Sequence, residues 1–162
     1  MSYKNAEGYK DPTVGAVLAN EIKEFRQAQR QKYRDKNRSK VYVASAYAGD
    51  IEGNTARAIQ YCRYVIDKGY LPIASHLLYP QVLSDSVPAE RELGLLFGLA
   101  LLATCQECWF FGELSPGMEQ EMQEAKRLRK KIRRFDQQMQ EVTTRLVFRS
   151  NLKNSGAGWD TD

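Results

Sequence analysis

The chain has 162 residues, 43% of them apolar and 27% charged, with a formal net charge of +4. That is ordinary for one soluble globular domain with a real core and ends that serve as appendages. The longest apolar run, Leu93 to Cys105, is too short and too interrupted by glycine to span a bilayer, and the polar Met-Ser-Tyr-Lys start does not read as a signal peptide. A cytoplasmic location is expected, and three cysteines without an export signal imply reduced thiols.

In chain order, residues 1–12 are polar and read as a loose arm. From Thr13, a candidate N-cap, apolar residues at Val14, Val17, Leu18, Ile22 and Phe25 fall at helical spacing. This helix runs into a basic tract, and residues 1–39 form one segment. Between Arg26 and Lys40 stand seven Lys or Arg against one acid, Asp35, and between Lys126 and Arg134 seven against none. Such clusters can bind phosphate backbones, but neither is interleaved with aromatics as a single-strand binder requires. Nucleic acid is thus a weaker expectation than a solvated basic face.

At Val41 the texture changes. VYVAS reads as a buried strand, followed by the loop Ala48-Gly49-Asp50 and a helix over about 51–68 whose buried face is Ala58, Tyr61, Cys62, Val65 and Ile66, with Gly69 as its stop. Leu71 to Ser75 reads as a second strand, making a βαβ unit with its connecting helix. After a Pro-bearing segment, the predicted helix over about 89–104 is apolar on nearly all sides. A strand at 108–111, a turn, a helix from about Met118 to Lys130 and a strand at 132–135 follow. A further helix is expected over 136–149, and a Ser, Asn and Gly-rich disordered tail over 150–162. Alternating strands and helices with continuously apolar strands predict an α/β fold: a Rossmann-like, flavodoxin-like three-layer sandwich with a mostly parallel sheet of four or five strands.

In such sheets ligands sit beyond the carboxyl ends of the strands. Three loop ends converge there. The first carries Ser45, Tyr47, Gly49 and Asp50, with Asn54 and Arg57 opening the helix behind. The second carries Ser75 and His76, the sole histidine. The third carries Ser115, Gly117 and Met118, with Glu121 just inside the next helix, whose terminal N–H groups and partial positive charge suit a phosphate or ribose oxygen. A nucleotide-like ligand beside an acidic side chain is the first expectation. No GxGxxG or GxxxxGK[ST] loop is present and no His/Cys/Asp cluster has metal spacing, so no cofactor or metal is expected. Cys105 and Cys108 form a CxxC, but at a helix end running into a strand, the reverse of the redox arrangement, and read as half-buried thiols.

The order VYVASAYAGD, then NTARA, then a strand ending in SH, then SPGMEQE and EAKRL, resembles the nucleoside 2-deoxyribosyltransferase-like superfamily. The likeness is nearest to its uncharacterised phage and bacterial members of the DUF4406 type, and it covers about residues 40–135. In the characterised enzymes the nucleophile is a Glu within a pattern of Asp or Ser, any residue, Gly, three residues, Glu, matched here by Ser115, Gly117 and Glu121. The resemblance implies an N-glycoside hydrolase or transferase in which Glu121 attacks the anomeric carbon, Tyr47 orients Glu121 or the sugar, and His76 or Asp50 serves the base. Ser115 in place of Asp resembles the 5′-monophosphate hydrolase branch, because a neutral hydroxyl beside helix N–H groups tolerates phosphate. Glu119 replaces a second Gly of the motif, which puts turnover in question. The alternative is a non-catalytic nucleotide-binding protein of phage type that sequesters or senses a signalling nucleotide. The resembled family is oligomeric. The apolar helix over 89–104, with Gly94 and Gly98 spaced for close helix approach, predicts a homodimer or a multiple of it.

Overall fold

The computed structural model describes residues 7–8 and 12–142. The chain divides into two compact units, residues 1–38 and 39–162. The first contains helix α1 (Pro12–Lys36), which begins with a proline in its first turn and keeps Val17, Ile22, Phe25 and Tyr33 exposed. Within its basic tract, Asp35 accepts hydrogen bonds from Arg38 and Gln31, which hold its carboxyl below the usual range.

The second unit is an open parallel sheet. Its strands are β1 (Lys40–Ala44), β2 (Leu71–Ile73), β3 (Glu107–Phe111) and β4 (Lys131–Phe135), in the spatial order β2-β1-β3-β4, every neighbouring pair parallel. They alternate with helices α2 (Ile51–Asp67), α3 (Pro88–Ala103) and α4 (Pro116–Arg127). The expected α/β architecture is thus present, with four strands. Order reverses at β1: its connection leads out to β2, and the next returns past β1 to β3. The crevice beyond the carboxyl ends of β1 and β3 is therefore the topological switch point.

Period-2 alternation divides the strands between two cores. Tyr42, Ala44, Cys108 and Phe110 face α3 and α4 and pack with Leu102, Met118 and Ala125. Val41, Val43, Trp109 and Phe111 face α2 and pack with Tyr61, Val65 and Phe135. This second core is aromatic: Tyr61 stacks on Phe111 with ring centroids 4.4 Å apart, Phe111 on Phe135 at 4.8 Å, and the Arg133 guanidinium lies 4.4 Å from the Trp109 ring centre. Each large ring so buried contributes roughly 1.5–3 kcal/mol.

Several boundaries move. β2 ends at Ile73, and Ser75–Leu77 is a turn of 3-10 helix, so Ser75 and His76 stand on a turn rather than on a strand and its end. On α2 the buried residues are Asn54, Ala58, Tyr61 and Val65. Cys62 is half-buried and Ile66 is 41% exposed, because the stripe follows i, i+4, i+7, i+11. α4 starts at Pro116 and ends at Arg127, where Arg129 turns the chain with φ 53°. Over residues 136–142 the expected helix is absent. Asp136 Oδ1 accepts from the backbone N–H groups of Gln138 and Gln140, Met139 adopts φ 62°, and Glu141 makes an antiparallel bridge back to Phe135. The side chain of Asp136 competes for the N–H groups a helix would use. The rest of that segment and the tail lie outside the described residues.

Candidate functional site

The site is built at the switch point by three loops. The β1–α2 loop turns at Gly49, whose φ of 90° suits glycine, and ends at Asp50, which caps α2 by accepting from Gly53 N–H at 3.0 Å. Gly53 carries no side chain because a Cβ there would collide with the Asp50 carboxylate. Asn54, buried, donates to the carbonyls of Tyr47 and Ala48 at 3.1 and 2.9 Å and accepts from Arg57 Nη2 at 2.7 Å. Asp50, Asn54 and Arg57 are thus bonded within one loop and helix start, with Arg57 only 3.5 Å from Asp50. These bonds tie the loop to the start of α2.

Ser45, buried at the end of β1, and His76, on the turn after β2, are brought together: Ser45 Oγ lies 3.0 Å from His76 Nε2. Burial depresses the His76 pKa to about 4, so the imidazole is neutral at pH 7. It therefore offers a neutral donor and acceptor rather than a charge.

The third loop leaves β3 through Gly112, with φ 77° and its N–H donating to Phe135 O, and reaches Ser115. Ser115 caps α4, its Oγ accepting from Met118 N–H at 3.3 Å. The Met118 N–H expected to face an anion is thus already partnered by Ser115, and Met118 itself is buried in the core. A Cβ at Gly117 would meet open space. Ser115→Ala removes this cap and is expected to cost about 0.5–1 kcal/mol in urea unfolding, the low end of the range because the bond is long.

One turn further along α4, Glu121 points back at the sheet. Its Oε1 accepts a hydrogen bond of 2.6 Å from the hydroxyl of Tyr42, on β1, and that hydroxyl lies 2.7 Å from Ser75 Oγ. Burial lifts the Glu121 pKa to about 7, the Tyr42 hydrogen bond offsetting part of the rise. Burial likewise raises the Tyr42 phenol, which stays protonated and remains a donor.

Tyr47 was expected to orient Glu121 or the sugar; the phenol that hydrogen-bonds Glu121 is that of Tyr42. The Tyr47 carbonyl accepts from Asn54. The alternation that turns Tyr42 toward α3 and α4 was readable within VYVAS, but only the packed sheet shows that α4 brings Glu121 to it. One other expectation fails to meet its geometry. Gly98 faces inward, where a Cβ would stand 3.2 Å from both the Tyr42 and Ser75 hydroxyl oxygens, and Gly94 faces Leu83 and Tyr79, so neither admits a second helix. Cys105 and Cys108 are fully buried, and burial pushes the Cys108 thiol up to about 12, far from a reactive thiolate. Among the described residues no group of His, Cys, Asp or Glu could hold a metal ion, and no helix is long and apolar enough to cross a membrane.

With this geometry in place, the chain can be compared with known proteins. The profile of one family, described as a domain of unknown function (DUF7768), matches residues 39–135. The chain belongs to the DUF7768 family. The expected DUF4406-type membership is corrected by that match, since short motifs around one strand-loop-helix pattern do not separate neighbouring families. No curated protein matches the DUF7768 chain. Among solved structures it is similar to a 2-deoxyribosyltransferase from the psychrotolerant bacterium Bacillus psychrosaccharolyticus, a biocatalyst for nucleoside synthesis. The TM-score is 0.51 and the identity 16%, over 69% of this chain and 82% of that one. At that identity the likeness establishes the fold.

Proposed function

We propose that the chain cleaves or transfers the N-glycosidic bond of a nucleoside or nucleotide, with Glu121 as the nucleophile. The observation that carries this is the Glu121–Tyr42 pair: a carboxylate withdrawn from water, fixed by a 2.6 Å hydrogen bond at the switch point of an open parallel sheet. The similar fold of a protein described as a 2-deoxyribosyltransferase supports it.

In this reaction a Glu121 oxygen forms a bond to the anomeric carbon as the C–N bond breaks, and the bonding pair leaves with the base. Water, or an acceptor base, then takes the glycosyl group and frees the carboxylate. His76 and Ser45, together beside the same loop ends, suit recognition of the base by neutral hydrogen bonds. The Gly117 side of the α4 N-terminus, beside Ser115, accommodates a 5′-phosphate. Asp50, Asn54 and Arg57 shape the rim of the site.

The test is base release, followed by chromatography, from a panel of nucleosides and 5′-monophosphates with and without a free acceptor base. The reading expects release that needs Glu121, with monophosphates preferred. Saturable binding with no release from any member would favour the alternative, a nucleotide-sequestering or sensing protein.

Assembly belongs to the same reading. Leu93, Leu96 and Phe97, at i, i+3 and i+4 on α3, are 39–56% exposed, an apolar stripe that a lone chain leaves in water. A second copy covering α3 about a two-fold axis is the expected occupant. Light scattering on a size-exclusion column should give a mass of two or more chains. A mass of 18.6 kDa would refute the assembly.

A further inference from the structure

Tyr42 has one proton, and it is directed at Glu121 Oε1. The Ser75 hydroxyl, 2.7 Å from the same phenolic oxygen, must then be the donor to it. Three oxygens from three elements form a directed chain: Ser75 on the turn after β2, Tyr42 on β1 and Glu121 on α4. Ser75 is 6% exposed and Tyr42 wholly buried, so water does not substitute for either hydrogen bond. The fourth wall is α3, which crosses directly over the hydroxyl pair at Gly98. A Cβ there would lie 3.2 Å from each oxygen, closer than ordinary packing, and the phenol or the serine would have to yield.

We infer that Ser75 and Gly98 are positioning residues for Glu121: Ser75 polarises the Tyr42 hydroxyl by donating to it, and Gly98 leaves the space in which the two hydroxyls meet. An O–H that accepts a hydrogen bond becomes a better donor, so the Ser75 bond strengthens the one Tyr42 gives to the carboxylate. The chain thereby favours the ionised, nucleophilic form of Glu121 against the burial that opposes it. The other titratable side chains bearing on Glu121 are the thiols Cys108 and, through Tyr42, Cys105, both neutral; among the described residues Lys130 acts on these thiols, and what acts on Glu121 itself is burial and the Tyr42 hydrogen bond. The inference rests on the reading of Glu121 as the reacting group, but its test does not.

That test is a direct titration of the Glu121 carboxyl by ¹³C NMR in protein labelled at the Glu side-chain carboxyl carbon, with the resonance assigned by its loss in Glu121→Gln. Tyr42→Phe should raise the Glu121 pKa by about one unit or more, the equivalent of losing a hydrogen bond to a charged group. Ser75→Ala should raise it by about half a unit although Tyr42 is intact, and Ser75→Thr, which keeps the hydroxyl, should restore it. Gly98→Ala should reproduce the rise seen in Ser75→Ala. A Glu121 titration unchanged in Ser75→Ala while Tyr42→Phe shifts it would overturn the inference, and so would a rise in Ser75→Ala that Ser75→Thr leaves uncorrected. Because the readout is a titration, it stands whether or not base release is ever observed.

Discussion

Glu121→Gln is expected to lower base release by a factor on the order of 10³ or more while ligand affinity changes only a few-fold. The amide has the size and shape of the carboxylate, and its oxygen can still accept from Tyr42, so the local packing and hydrogen bonding are preserved. What it lacks is a lone pair basic enough to form a bond to the anomeric carbon. The loss should therefore appear in kcat with little change in KM. Binding measured by calorimetry in parallel separates a disabled nucleophile from a collapsed site. Undiminished turnover in this variant would retire Glu121 from its role.

The same substitution has a second, opposite effect on stability. Burial lifts the Glu121 pKa from the ordinary 4.5 to about 7. A carboxyl raised in the folded state favours folding fully only below its unfolded value, and that contribution is lost as pH rises through the folded value. The native protein is thus destabilised above pH 7 relative to one without the charge. Since each pKa unit corresponds to about 1.4 kcal/mol, Glu121→Gln should be more stable than the parent by about 3–4 kcal/mol at pH 8–9. The gain should fall toward zero between pH 7 and pH 4.5. Urea unfolding of both proteins across that range measures it. A difference that does not vary with pH would mean that Glu121 is not held in a dry environment. Turnover should rise through about pH 7 in the same window, because only the ionised form attacks. A group that costs stability when charged, yet is held in place by a tyrosine donor, has the character of a functional site.

Much of this was legible in the residues alone. VYVA and CWFF are apolar at every position, as strands buried on both faces are, and each leads through a Gly-bearing turn to a helix, so the parallel sheet and the loop ends at its carboxyl edge followed. Glu121 stood out because it lies one turn inside the helix after such a turn. What could not be read was which tyrosine meets it. Tyr42 lies within a strand and Tyr47 in a loop, and loop residues ordinarily carry function, yet here the pairing depends on how α4 packs against the sheet beside β3. Gly98 was misread for a similar reason: spacing from Gly94 suggests helix–helix approach, whereas the contact it permits is with two hydroxyls 23 and 56 residues earlier in the chain. The segment after Phe135 has helical spacing at Met139 and Val142, but Asp136 and the Phe135–Glu141 bridge close a local turn first.

A covalent bond between Glu121 and a sugar is tested most directly by trapping it. The protein would be incubated with 2′-fluoro-substituted nucleosides and their 5′-monophosphates, whose electron-withdrawing substituent slows breakdown of a glycosyl ester, and then digested and sequenced by tandem mass spectrometry. The expected result is one added glycosyl group on the peptide that contains Glu121, at that residue, and none in Glu121→Gln. Base release accompanied by no adduct, or by an adduct on another residue, would contradict it.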